Sequence, residues 1–314
     1  MKILRTPITQ FKDLPGFSFQ ENYINVGPTE VLDDKKVSHA FDTLKMHYID
    51  YGPKDAPVIL MLHGEPSWSY LYRDMITLAE MQGLRVIAPD LIGFGKSDKF
   101  DEQAAYTYAS HLDWLSKFLE KLNISEYHLF CQDWGGLLGL RLVAAKPHMF
   151  KSVIAANTML PTGEHNAPEA FFEWQEYSQS TDNFDIGSIL QRATQSNLIE
   201  ETVNAYNAPF PDESYKAAAR KFPMLVPTSI NDPESQNNIN AWKILSQFEK
   251  PFLTLFSDND PVTKGGEKIF QKLVPGCVGQ AHKIMKNGGH FLQEDCAEEL
   301  MREIVVFIKR QYNG

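Results

Sequence analysis

The chain has 314 residues, with 30 basic side chains against 40 acidic ones and a formal charge of −10. That length can bury roughly three quarters of its unfolded surface, so folding needs no disulfide or metal staple. The acidic balance points away from nucleic acid and anionic lipid as partners, and a 43% hydrophobic share with 22% charged residues excludes a disordered chain.

In chain order, Ile3-Leu4-Arg5-Thr6-Pro7 is too short an apolar run for a secretory signal, so a cytoplasmic protein is expected. Phe41 to Tyr51 reads as an antiparallel lead-in strand that turns Leu44, Met46, Tyr48 and Ile49 toward a sheet. Short apolar runs then alternate with helical segments: Val58 to Leu62, Leu84 to Ala88, Tyr127 to Cys131, Ser152 to Ala156, Pro251 to Phe256 and His282 to Met285. This alternation predicts an α/β protein with a mostly parallel sheet. The helix predicted over Tyr108 to Leu122 carries Leu112, Leu115, Phe118, Leu119 and Leu122 on one stripe, which makes His111 and Trp114 packing or surface residues rather than ligands. The helix predicted over Asp295 to Tyr312 places Leu300, Met301, Ile304, Val305 and Ile308 on one face, with Asp295 and Glu298 as a capping box. Between Pro161 and about Asn238 no buried strand is legible, and this stretch reads as a helical cap inserted into the main domain. The expected division is therefore 1–160 and 239–314 for the main domain, with 161–238 as the cap. No apolar run approaches the ~18 residues of a membrane span. Cys131, Cys277 and Cys296, odd in number and widely spaced, argue against a disulfide framework or a structural metal site.

The chemistry concentrates in Tyr127-His128-Leu129-Phe130-Cys131-Gln132-Asp133-Trp134-Gly135-Gly136, a strand that runs into a helix with small residues after the turn. It has the form of a nucleophile elbow, with aspartate where serine is usual. A carboxylate is ordinarily ionised at neutral pH and needs no base to activate it, so Asp133 can displace a leaving group from saturated carbon. The resulting ester must be hydrolysed by water at the carboxyl carbon of Asp133. The backbone N–H of Trp134 supplies half of an oxyanion hole, and His63-Gly64-Glu65-Pro66, after the first long apolar run, offers the other half through the N–H of Glu65. The Glu65 side chain is expected to turn away toward a basic partner. A histidine should follow the cap in chain order. His290, in Lys286-Asn287-Gly288-Gly289-His290-Phe291, suits that role better than His282 at the start of a strand. The acid that orients it comes from Ser257-Asp258-Asn259-Asp260-Pro261, where Asp260 is favoured over Asp258.

These residues resemble the haloalkane dehalogenases of the α/β-hydrolase fold, specifically their subfamily I. The resemblance rests on His63-Gly64-Glu65-Pro66 with Ser69-Tyr70-Leu71-Tyr72-Arg73, on Gln132-Asp133-Trp134-Gly135-Gly136, and on Gly289-His290-Phe291-Leu292-Gln293-Glu294. In the cap it rests on Ala208-Pro209-Phe210-Pro211-Asp212 and Arg220-Lys221-Phe222-Pro223. It implies cofactor-free hydrolysis of a carbon–halogen bond in a small haloalkane, giving alcohol, halide and a proton. Asp133 would be the nucleophile, His290 the base for water and Asp260 the acid. The indoles of Trp134 and Trp174 would hold the halide, since an indole N–H is a donor with no lone pair to repel an anion. Phe171, Phe172, Phe222, Pro223, Val226 and Val262 would line the cavity, while Trp68, Trp114 and Trp242 would be structural. Cys131 and Ser257 depart from the small residues and glycine usual at their positions. The expected partners are a halogenated alkane, water and halide, acting on a monomer.

Two other readings bear on the same residues. An epoxide hydrolase would share the aspartate nucleophile but needs cap tyrosines, of which Tyr177, Tyr206 and Tyr215 are available. A hydrolase fold retired to ligand binding would lack the complete set of Asp133, His290 and Asp260.

Overall fold

The computed structural model describes residues 1–33 and 36–312. Its centre is an eight-stranded sheet formed by β1 (Asn22–Asn25), β2 (Lys45–Tyr51), β3 (Val58–Leu62), β4 (Arg85–Pro89), β5 (Tyr127–Gln132), β6 (Phe150–Ala156), β7 (Phe252–Ser257) and β8 (Lys283–Met285). The spatial order is β8-β7-β6-β5-β3-β4-β2-β1. Pairing is parallel from β8 through β4, while β2 and β1 join antiparallel. Strands β3 and β5 are buried along their whole length, as expected of apolar runs that helices cover on both faces. The lead-in is shorter than expected and buries His47 beside Met46 and Ile49, because His47 Nδ1 bonds Asp90 Oδ2 at 2.8 Å inside the protein. Strand β1, four residues at the sheet edge with alternating exposure, carries too little pattern to be read in advance.

The helices are α1 (Arg73–Met81), α2 (Tyr108–Leu122), α3 (Trp134–Ala145), α4 (Glu169–Ser180), α5 (Ile186–Arg192), α6 (Glu200–Asn207), α7 (Ala217–Lys221), α8 (Ser235–Leu245), α9 (Gly266–Leu273) and α10 (Leu292–Arg310). Helix α2 has the predicted bounds, held at one end by a capping box between Thr107 and Ser110 and at the other by Asn123 at φ 53°. Its His111 and Trp114 are buried. Helix α10 begins three residues earlier than predicted and is kinked at Cys296. Asp295 caps nothing in the predicted way, because its carboxylate instead accepts the backbone N–H groups of Ser196 at 2.7 Å and Gly289 at 2.8 Å.

Helices α4 to α7 lie in the insertion between β6 and β7, among whose described residues there is no strand. The expected cap boundary at 238 falls inside α8, which packs on α3 of the main domain. Among the described residues no helix is long and apolar enough to cross a membrane.

Candidate active site

Four loops at the carboxyl edge of the parallel strands build the site. The elbow between β5 and α3 puts Asp133 at φ 50°, ψ −125°, a strained backbone for a residue with a side chain. Its surroundings hold it there: Asp133 donates its N–H to Asn157 O at 3.0 Å, and Thr158 Oγ1 donates to Asp133 O at 2.7 Å. Glycines are required next to it by close approach. A Cβ on Gly135 would stand 1.9 Å from Leu62 O, and one on Gly64 would stand 2.5 Å from the Asp133 Cβ. The loop after β3 then delivers the Glu65 N–H to Asp133 Oδ1 at 2.8 Å.

His290 lies between two carboxylates, with Nε2 at 3.5 Å from Asp133 Oδ2 and Nδ1 at 3.0 Å from Asp260 Oδ2. Burial opposes charge on the ring, but Asp260 and then Asp133 outweigh it and push the His290 pKa up to about 10. Asp260 is 1% exposed. Burial works to raise its pKa, yet the charge of His290 and the donors around it hold it below the ordinary carboxylate value. Those donors are Thr263 Oγ1, the Val262 N–H at 2.9 Å and His290 itself. Asp258 points elsewhere, with Lys286 Nζ at 3.6 Å. His282 accepts the Thr254 N–H at 3.1 Å, away from the site.

A residue outside the predicted set joins three of these loops. Asn157, fully buried at the end of β6, donates through Nδ2 to Ser257 Oγ at 2.8 Å, Gly289 O at 2.9 Å and His290 O at 3.0 Å, and accepts the Ser257 N–H at 2.9 Å. Ser257, the departure from glycine, donates its hydroxyl to Gly289 O at 2.7 Å. The acid loop and the histidine loop are thereby fastened to each other and to the strand beside the elbow. Gln132 adds a bond from Nε2 to His290 O at 3.2 Å. An asparagine at a strand end with an acid loop beyond was the available signal, but nothing local marks which backbone it reaches.

Above the elbow is a cavity of about 940 Å³ lined by Asp133, Trp134, Glu65, His290 and, from the cap, Phe171 and Trp174. Pro223, Val226 and Val262 also lie in its wall. Two expected lining residues are elsewhere. Phe172 is 41% exposed on the outer side of α4, and Phe222 is buried behind the wall, its ring 4.5 Å from that of Trp134. Trp242, expected to be structural, lines the outer cavity while donating its indole N–H to Leu160 O at 2.8 Å. Trp68 and Trp114 are buried. The basic partner expected for Glu65 is not there: its carboxyl is 4% exposed and Oε1 has no hydrogen-bond partner among the described residues.

This sheet and elbow define a hydrolase of the α/β type, and the sequence model described as "alpha/beta hydrolase fold" matches residues 57–296. A haloalkane dehalogenase of Psychrobacter cryohalolentis is 52% identical over 98% of both chains, and one of Mycolicibacterium paratuberculosis is 42% identical over 97% of this chain and 98% of its own. Among solved structures, the haloalkane dehalogenase DpaA of Paraglaciecola agarilytica NO2, described as tetrameric, superposes with a TM-score of 0.86 at 32% identity, covering 96% of this chain and 97% of that one. The chain belongs to the haloalkane dehalogenases. The expectation of a monomer finds no support in that comparison.

Proposed function

We propose that the protein hydrolyses haloalkanes through a covalent ester on Asp133. The observation that carries this reading is the placement of Asp133, whose one carboxylate oxygen accepts the Glu65 N–H while the other faces a histidine already paired with Asp260. A carboxylate oxygen attacks the halogen-bearing carbon, and the halide departs with the bonding pair. Trp134 and Trp174 stand in the cavity wall as donors for that anion, which needs hydrogen bonds but no proton.

Ester formation also removes the charge at Asp133. Part of what keeps His290 protonated disappears with it, burial drives the ring toward neutrality, and the proton goes to solvent. The base thus becomes available only when there is an ester to cleave. His290 Nε2 then takes a proton from water as it attacks the Asp133 carboxyl carbon, with the N–H groups of Glu65 and Trp134 facing the oxyanion. Asp260 stabilises the imidazolium, which gives that proton to the departing alkoxide, and the carboxylic acid left at Asp133 passes its own proton to His290, restoring the starting pair. The balance is haloalkane and water to alcohol, halide and a proton.

Every group in this scheme lies on one chain, so it runs in a monomer, with α4 to α7 acting as the cap. Three free, buried cysteines suit a reducing cytoplasm. The epoxide reading is disfavoured by the tyrosines: Tyr177 lines the cavity, but the Tyr206 hydroxyl is bound to Glu294 and Tyr215 is not in the wall.

Halide release from 1-bromoalkanes tests the reaction. A single turnover in heavy-oxygen water tests the route, with label expected in the Asp133 carboxyl group. Halide release without that label would mean direct attack of water on the substrate.

A further inference from the structure

The scheme above uses only the backbone of Glu65. Its side chain nonetheless lies in the cavity wall, 4% exposed, with Oε1 unpartnered. The charged or titrating groups that act on it are Asp133 from the elbow and His290 from the loop before α10, and the cap contributes the indole of Trp174 in the same cavity wall; His290 and that indole favour the charged form. Lysine and arginine are not among these neighbours. Burial above all, and then the charge of Asp133, hold this carboxyl well above the usual range.

A buried carboxylate here would face two costs. It would lie beside Asp133 with no cation but the His290 imidazolium, which Asp133 and Asp260 already share, and it would oppose any halide arriving between the tryptophans, weakening the anion roughly 100-fold at a separation of a few ångströms. As a neutral acid the same group carries no charge and offers a carbonyl acceptor for the Trp174 N–H, along with an O–H that can turn toward an anion.

We infer that Glu65 is a positioning residue that works as an uncharged carboxylic acid, presetting the Trp174 indole across the gap between main domain and cap while keeping a second negative charge out of the halide site. This rests on the halide reading given above. It explains why a glutamate can occupy the wall of an anion site with no basic partner.

The test combines charge state and binding in the full-length protein. The infrared difference spectrum between wild type and Glu65→Gln at neutral pH should contain the carbonyl band of one protonated carboxylic acid, present only in wild type. Bromide titration, followed by quenching of tryptophan fluorescence, should give Glu65→Gln an affinity within about threefold of wild type, because the amide is also neutral and also accepts. Glu65→Ala should bind about 10-fold more weakly with an unchanged circular dichroism spectrum. A missing acid band, Glu65→Gln binding as poorly as Glu65→Ala, or Glu65→Ala binding as well as wild type would each overturn the inference. If Glu65→Ala does not fold, the band and the glutamine variant still decide. Wild type that fails to bind bromide would instead overturn the halide site, and the infrared band would then decide the state of Glu65 alone.

Discussion

Asp133 and Trp174 line one cavity, yet they stand on different ground. Asp133 sits where β5 meets α3, its backbone bonded on both sides to the end of β6 and its carboxylate to the loop after β3. Trp174 is half-buried on α4, a helix of the insertion whose N-terminus follows Pro168 without a side-chain cap, and its ring stacks on Tyr177 and Phe184 of the cap itself. One wall is set by the sheet, whereas the other keeps its position through a few ties to the main domain. On the mechanism proposed above, the chemistry that tolerates no displacement falls on the first wall and the group meant for the departing ion on the second, where it can move with the cap.

Replacing the base on the sheet side should have the largest effect. His290→Gln should still form the ester but lose turnover by about 10⁴-fold, and mass spectrometry after exposure to a bromoalkane should find the alkyl group on Asp133. An unmodified chain would break the two-step order. The same residue leaves a signature in stability. Its pKa is raised in the folded protein to about 10 from an unfolded value near 6.5. Its contribution is therefore complete below about pH 6.5 and is lost as pH rises through about 10. Thermal melts should show wild type losing stability across that window, and His290→Gln losing less.

The ties between the two walls come next. Arg73 of α1 grips Glu294 of α10 with NH2 at 2.7 Å, and the Tyr206 hydroxyl of α6 bonds the same carboxylate from the cap. Both charged side chains are nearly buried. Glu294→Gln leaves the nearly buried Arg73 with only the exposed Asp74 carboxylate, 3.9 Å away, as counter-charge and should cost about 3 kcal/mol in chemical denaturation. It should also raise KM more than it lowers kcat, because the cap is held less well than the triad. Equal effects on the two constants would show the walls to be mechanically one.

On the cap side, Trp174→Phe keeps the ring and removes the N–H. It should lower kcat/KM about 100-fold for a chloroalkane while leaving His290-dependent ester cleavage unchanged in single-turnover kinetics. Loss of both steps together would mean that the cap tryptophan also shapes the floor.

The same contrast governs what could be read before the structure. The floor is written in short contiguous motifs, since an elbow, an oxyanion turn and a Gly-Gly-His loop each act through their own neighbours. Asp133 and Glu65 could therefore be picked from local pattern, and His290 from its loop together with its place after the cap in chain order. The choice of Asp260 over Asp258 was only weighted in the sequence; in the structure it is Asp260 that lies 3.0 Å from His290 Nδ1, where loops bond across the sheet edge, Asn259 N–H to Gly288 O at 3.1 Å among them. In the cap, residues one helical step apart face opposite ways. Phe171 and Phe172 are adjacent and equally apolar, but 7% and 41% exposed, and no periodicity over twelve residues of α4 separates them. The side-chain bonds of Asn157 and the surroundings of Glu65 were illegible because they depend on residues 68 or more positions away in the chain. For Glu65, the want of a lysine or arginine beside it carries the information, and a sequence does not display absent neighbours.

The smallest effect should come from Ser257→Gly, which restores the residue usual at that position. The hydroxyl accepts from Asn157 and donates to Gly289 O, but both partners have other bonds: Asn157 Nδ2 also reaches Gly289 O and His290 O, and Gly289 is further held by Asp295. Two neutral hydrogen bonds in a network that largely survives should cost about 1 kcal/mol, with roughly 0.5 kcal/mol more from the added freedom of glycine in the unfolded chain. Chemical denaturation measures that sum, and kcat should fall less than threefold because the Asp260 to His290 bond does not pass through Ser257. A loss of activity well beyond the loss of stability would place Ser257 among the groups that aim the histidine. The sheet-side wall would then depend on one hydroxyl as closely as the cap-side wall depends on one indole.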